Sequence, residues 1–536
     1  MIRPTALLLA MVATGCSRPA PEASTASTVP LYDNLGTLHH AVTATPEAQR
    51  YFDQGLRLTY AFNHEEAIRA FNEAERIDPK CAMCAWGEAM ALGPNINAPM
   101  DSANAMRARS ALERARQKAA GATEAERAYI EALAVRYELP IAERARHDSA
   151  YAKAMGALAE RFPSDPDAQV LHAESLMDLS PWFYWNTDGS PRPDTPTILS
   201  RLEGVVAADP GHPGACHFYI HAVEAFHAEK AVACAERLAA DMPGAGHLVH
   251  MPGHIYIRVG RWQDAIEANH DAVHADHELI DGAKLSLAGT YGQGYVPHNL
   301  HFLGFAATMS GQSKTAIEAA RSSAKAVMPE AAKAFPSVQW MTTPVFTTLV
   351  TFGRWDEILA EPLPDPEMRY ATALAWYARG VAFARKAQAP EAKAALDTVR
   401  AIAGAVPDDD NRRALRVASS ALEGEIELSA GRAARAIPAF ERAVGIEDSL
   451  GYMEPPTWYY PTRQSLGRAL LEAGRAKDAE RVYREDLRRF PDNGWSLTGL
   501  SLALAAQGKR AEAATVRQKL DELWKDADVK PVSSRF

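Results

Sequence analysis

Histidine dominates the chemistry this chain can offer. Twelve of its seventeen histidines lie between His212 and His301, a window of ninety residues in which an even spread would place about three. The spacing is ordered as well. His217 and His221 are four apart, His247, His250 and His254 follow at steps of three and four, and His298 and His301 are three apart. On a helix turning ~100° per residue, steps of three, four and seven return to nearly one face. Each group therefore points as a unit. Neutral imidazole is a ligand for zinc, copper, iron and nickel. An ion needs three or four ligands, so His217, His221, His247, His250, His254, His298 and His301 can serve one ion or two. Glu224, three residues after His221, and Asp178 are the carboxylates that can join them. The expected metal is copper or zinc, with iron as the third option. Pro252 lies inside the His247–His254 stretch and must kink that helix or force its start.

Three functions fit such a set. One is a metal-binding or metal-handling protein. The second is a metalloenzyme, an oxidoreductase or hydrolase in which one or two ions activate oxygen or water. The third is an interaction scaffold whose groove grips a protein or peptide segment without metal. No Ser-His-Asp, Walker, dinucleotide or H-E-x-x-H pattern is present, so catalytic residues stay unassigned.

The elements that must position these histidines belong to a repeat. In residues 48–81, Tyr51, Gly55, Ala67, Phe71, Ala74 and Pro79 fall at positions 4, 8, 20, 24, 27 and 32 of the unit. That is the tetratricopeptide pattern of two antiparallel helices, with small residues where they cross. The register recurs with Gly253, Ala265 and Ala272 in 246–279, and with Gly304, Ala316 and Ala320 in 297–330. It returns in 373–406, 417–450 and 460–493, with weaker copies near 212, 339 and 494. Gly260-Arg261-Trp262 and Gly353-Arg354-Trp355 occupy one and the same inter-helix turn. The expected fold is all-α, a right-handed superhelical tetratricopeptide solenoid with loop inserts. A lone helix pair cannot bury its apolar face, so stacking supplies the core.

In this register His247, His250 and His254 take positions 2, 5 and 9, and His298 and His301 positions 2 and 5 of the next unit. In tetratricopeptide repeats as a family those first-helix positions line the concave groove, so the pattern implies that these histidines face it. His270, His274 and His277 lie on a second helix and read as a solvated face. His64 reads as a turn residue, and His39-His40 as a pre-repeat segment, both without a role. Inserts at 93–101, 180–196 and 280–296 break the register, and long inserts in solenoids build sites. The Pro-rich aromatic run Glu454–Tyr460 reads as loop packing between the last repeats rather than a cap over the groove.

Composition narrows the partners. With 47% hydrophobic residues and a net charge of −10 the chain is folded and acidic, and it lacks the basic stripe that nucleic acid requires. At the N-terminus, Arg3, the apolar run Ala6–Val12 and Ala13-Thr14-Gly15-Cys16 resemble a bacterial lipoprotein signal with Cys16 as the lipidated residue. Ala13 departs from the usual Leu. The expected divisions are a signal at 1–16, a flexible tether at 17–31, an N-terminal repeat region at 32–210, a histidine-rich region at 211–330 and a C-terminal region at 331–536. A lipid anchor would tie the protein to the inner or outer membrane, facing the periplasm. In that oxidising compartment Cys81-x2-Cys84 is expected as a disulfide, with redox or metal roles as alternatives. Cys216 adjoins His217, but adjacent helical residues diverge by ~100°, so it need not face the same ion.

Several longer phrases carry a family resemblance: CAMCAWGEAMALGPNIN (81–97), HPGACHFYIHAVEA (212–225), HLVHMPGHIYIRVGRW (247–262), PHNLHFL (297–303) and EPPTWYYPTRQSLG (454–467). Together they resemble a group of bacterial tetratricopeptide-repeat lipoproteins over roughly residues 48–520. The resemblance implies a helical solenoid with a shared groove and carries no activity with it. Similar proteins read NHYYIHAVE where this chain has Cys216-His217-Phe218-Tyr219, which speaks against Cys216 as a ligand.

Overall fold

The structure, a computed structural model, describes residues 29–100, 102–283, 287–407 and 409–535. Cys16, the signal segment and most of the tether lie outside them. Among the described residues the chain is an all-α solenoid of paired helices, with no strand and only two isolated β-bridges. None of these helices is long and apolar enough to cross a membrane.

The first pair shows why this sequence folds so. Helix Pro46–Tyr60 opens with Pro in its first turn, where the missing N–H costs nothing, and with Glu47 at the positive end of the helix dipole. The second helix, His64–Ile77, is capped by Asn63, whose side chain accepts from the Glu66 N–H. Phe71 then wedges between helices that only glycine allows so close. A β-carbon at Gly55 would sit 2.7 Å from its ring, and one at Gly87 of the next helix 2.3 Å. Tyr483 fits between Gly467 and Gly499 in the same way.

Among the described residues, eight helix pairs share one turn. One residue takes a left-handed conformation, one more follows, and the second helix begins. Glycine holds that position at 260, 311, 353, 431, 474 and 508, with φ between +66° and +82°. Only glycine takes this region without strain. Ala387 and Phe62 occupy the equivalent place at φ +58° and +55°, and the bulky Phe62 pays for it in strain.

The solenoid folds back on itself around its histidine helices. Trp262 donates its indole N–H to the Pro491 carbonyl at 2.8 Å, and Trp495 donates to Thr308 at 2.8 Å. Asp528 accepts from the Ser313 N–H at 2.7 Å. At the other end, helix Pro46–Tyr60 packs on helix Pro213–Val223. One apolar core runs from Val29 to Ala319 and takes in Tyr459 and Trp495, so residues 32–210 and 211–330 share a single interior.

Among the described residues two disulfides are present. Cys81 and Cys84 close the start of helix Ala82–Ala91. Cys216 and Cys234 join helix Pro213–Val223 to Val232–Asp241, a pairing that the spacing of the cysteines did not reveal. The second bridge closes a loop of 18 residues. The chain-entropy estimate for such a loop is about 3 kcal/mol. A Cys216→Ser/Cys234→Ser variant is expected to unfold several degrees lower than the parent in a thermal scan under oxidising conditions. An unchanged midpoint would mean that this bridge adds nothing to the fold.

Candidate metal centre

Three successive first helices bring the histidines together. Helix Pro213–Val223 carries His217 and His221 one turn apart. The next is divided into Gly246–His250 and Pro252–Val259, because Pro252 has no N–H to bond Leu248. His250 and His254 nevertheless stay one turn apart across the break. The third, Val296–Met309, follows a π-turn at Tyr291–Tyr295 and carries His298.

The ring nitrogens form two trios. Ligand atoms of His217, His221 and His247 lie within 4.8 Å of one another, as do those of His250, His254 and His298. His221 Nε2 and His247 Nε2 are each 3.1 Å from His217 Nε2, and His250 Nε2 is 2.8 Å from His254 Nε2. The trios adjoin, with the rings of His221 and His254 at 5.4 Å and those of His247 and His250 at 5.7 Å.

The opposite side of four rings fixes where their protons are. His217 Nδ1 lies 2.6 Å from the Tyr60 carbonyl, one of the acceptors left free at a helix C-terminus, so it must donate. His250 Nδ1 is 2.7 Å from Asn269 Oδ1. The Asn269 amide donates to the Ala265 carbonyl, which leaves its oxygen to accept. Glu224 takes both remaining donors, His221 Nδ1 at 3.1 Å on one oxygen and His254 Nδ1 at 2.5 Å on the other. Burial pushes the Glu224 carboxyl up, but its two imidazole partners, His254 and His221, outweigh it and bring it down to about 2. All four rings thus carry hydrogen on Nδ1 and a bare lone pair on Nε2.

Two of the short contacts, His217–His221 and His250–His254, therefore set lone pair against lone pair. No hydrogen bond can form there, and only a proton or a metal ion relieves the contact. Burial holds His217 well below the usual histidine range and His221 below it, which disfavours the proton at the first contact, and at the second it holds His250 well below that range. His247 differs, since its buried Nδ1 has no partner and its tautomer is open.

The walls are aromatic. Phe62, from the strained turn, lies 4.5 Å from the His217 ring and stacks on His247 at 5.4 Å. Trp182 meets His221 edge-on at 5.0 Å. Phe302 sits within 4.5 to 5.1 Å of His254, His250 and His298. The strain at Phe62 thus coincides with a ring placed over the first trio.

Beside the trios lies a cavity of about 260 Å³, lined by His221 and His247 from one and His254 and His298 from the other. All three inserts reach it, through Ala98, Trp182 and Tyr295, and so does the 453–459 loop. That loop therefore lines the groove, which goes beyond the packing role expected of it. Its Glu454 receives the Tyr452 hydroxyl at 2.5 Å, while Arg258 stands 3.9 Å away. Burial raises the Glu454 carboxyl to about 7 against the pull of Arg258, and its Oε2 has no partner.

Other expected residues lie elsewhere. Asp178 is not a ligand here, because Arg136 holds it at 2.5 Å in a separate buried cluster with Glu174. His301 belongs to neither trio. It stacks on Tyr459 at 5.1 Å and lines the cavity. Glu224 presents its oxygens to Nδ1 atoms, so it orients rings rather than filling out either trio. His270 and His274 are exposed, at 76% and 71% of their side-chain surface, and His277 is exposed too. The reading of His40 as a residue without a role fails, since it reaches Asp167 at 2.7 Å. His64 is pushed down to about 4 by burial. Phe62, Asn269 and the Tyr60 carbonyl escaped the sequence reading. Only Phe62 had a signal, as a Phe where most of the repeats carry Gly.

No family model matches the chain, and no curated protein matches it. Among solved structures it is similar to human IFIT1 in a dimer with m7Gppp-AAAA, at 11% identity and a TM-score of 0.33, over 82% of this chain and 90% of that one. It is also similar to yeast Tom70, at 10% identity and a TM-score of 0.29, over 89% and 92%. A third is Naa15/Naa10 bound to HypK, at 13% identity and a TM-score of 0.23, over 89% and 71%.

Proposed function

We propose that this protein is a metalloenzyme with two transition-metal ions side by side. One is held by His217, His221 and His247, the other by His250, His254 and His298, and Glu224 ties the two sets together. The observation that carries this reading is the pair of buried lone-pair contacts at 3.1 and 2.8 Å, which an ion resolves. Three protein ligands per ion leave a coordination position open, as catalytic sites require. Two histidines of each trio border the same cavity, so both open positions can face one bound molecule. A site for storage or transfer needs no such shared cavity. A peptide-gripping groove needs one free of its own loops.

The donor set favours copper. Six neutral imidazoles suit copper or zinc, whereas manganese draws on oxygen donors, and divalent copper heads the affinity order. Copper makes the protein an oxidoreductase; zinc would make it a hydrolase. An exported, lipid-anchored, periplasm-facing location is part of the proposal. It draws support from the signal-like segment ending at Cys16 and from the two disulfides, which persist in oxidising compartments.

The test is metal content by mass spectrometry on the chain purified from its native compartment, beside His217→Ala and His250→Ala. Two ions in the parent and one in each folded variant are expected. A folded parent without stoichiometric metal, even after incubation with copper and zinc salts, would overturn the proposal.

A further inference from the structure

We propose that the cavity beside the two trios binds a small, uncharged aromatic molecule bearing a hydroxyl group, a phenol in the simplest case. This deepens the metalloenzyme reading and rests on it for its functional meaning, though not for binding itself.

Size is the first argument. At about 260 Å³ the space falls below the 300–1,000 Å³ typical of drug-sized ligands, yet an engineered cavity of about 150 Å³ in another protein takes up benzene. One substituted ring fits. The wall is the second argument. Six aromatic residues contribute to it: Trp182, Tyr295, Trp340, Tyr370, Trp458 and Tyr459. Four of them turn their polar atoms away to protein partners. Trp182 donates to the Ile96 carbonyl, Trp340 to Asn411, Tyr370 to the Thr457 carbonyl and Tyr459 to the His301 carbonyl. Rings so tied present apolar edges and faces, the surfaces on which another ring packs.

Charge is the third argument. Among the described residues no lysine or arginine lines the cavity, while Glu454 does. An organic anion therefore meets no protein cation. Four buried polar atoms on lining residues lack a partner, His247 Nδ1, Tyr295 Oη, Glu454 Oε2 and Trp458 Nε1, and the last two lie on the 453–459 loop. A buried polar atom without a partner destabilises the chain, and a hydroxyl, which both donates and accepts, can satisfy either of these two. A flat molecule with one hydroxyl answers all three features, and it lies where the open metal positions face.

The test uses the full chain, as purified and again after chelation, titrated with 4-methylphenol and followed by quenching of the tryptophans. p-Xylene, which lacks the hydroxyl, and benzoate, which is anionic, are run in parallel. Saturable binding of 4-methylphenol is expected in both samples, with p-xylene and benzoate each about tenfold weaker. Thr347→Phe fills the space from helix Pro344–Thr351, which carries no histidine of the trios. It should weaken 4-methylphenol at least about tenfold, because an overpacked site has no room left for a ring, whereas Thr347→Val should bind as the parent does. If Thr347→Phe fails to fold, Leu374→Phe on helix Arg369–Arg385 takes its place. Glu454→Leu should abolish the preference for 4-methylphenol over p-xylene. No saturable binding in either sample, parental binding by a folded filled variant, or benzoate binding the chelated chain as well as the phenol would overturn the proposal. The chelated sample contains no ion, so a failed metal assay leaves this result standing, and a failure here leaves the metal reading to its own test.

Discussion

Glu224→Gln is expected to weaken metal binding at both sites, by about 10- to 100-fold each, the usual cost of losing a residue that orients a ligand. The cause is the proton count. A carboxylate accepts on both oxygens, and Glu224 uses one for His221 and one for His254. An amide of the same shape accepts on one side and donates on the other. One of the two rings must then move its proton to Nε2, which removes its lone pair from the metal, or leave a buried N–H unpaired at about 1–3 kcal/mol. Either way the set that loses a ligand is disabled and the other is loosened, since the amide can turn either way. Asn269→Leu is the contrast: Asn269 serves His250 alone, so only the second trio should suffer. The measurement is competitive titration against a chelator of known affinity, with circular dichroism to show that the helices persist. Equal affinities for Glu224→Gln and the parent would remove the bridging role from the account.

Much of this site was legible in the sequence, for a physical reason. Histidines at steps of three and four must share a face, and the repeat register says which face meets the groove. Six of the seven positions and the three helices followed from those facts. Asp178 did not follow, because its partner Arg136 lies 42 residues away and no local spacing foretells that pair. His301 keeps the step of three from His298, yet in the folded chain it stacks on Tyr459, 158 residues along the sequence. The grouping into trios, the 453–459 loop over the cavity and the Cys216–Cys234 bridge depend likewise on how distant repeats meet. Phe62 lies between. Its type at a glycine turn is visible in the sequence, but that its ring covers His217 is not.

Replacing two buried histidines outside the trios should make the protein markedly more tolerant of acid. His301 and His172 are 7% and 8% exposed. Burial pushes them down to about 3 and about 4, the latter helped by Arg201. The unfolded chain holds such groups near 6.5. Below that value the unfolded state binds more protons than the folded one, so the stability they contribute is present above about pH 6.5 and lost as pH falls. Each group costs about 1.4 kcal/mol per pH unit in that window, or together about 5 kcal/mol between pH 7 and 4.5. The parent curve alone will not display this, because buried carboxyls oppose it. Asp276, Glu447 and Glu454 are raised by burial to about 7. They keep protons that the unfolded chain has lost, and so they favour the folded state as pH falls from 7 toward 4.5. The difference between two chains cancels that background. A His172→Leu/His301→Phe variant, with Phe retaining the stack on Tyr459, should lose about 5 kcal/mol less stability than the parent over this range, read from urea midpoints of the metal-free proteins at each pH. Parallel curves for the two chains would mean that these imidazoles are reached by solvent and pick up protons without unfolding, and the enclosed interior described around the centre would then have to be opened at the His301–Tyr459 stack.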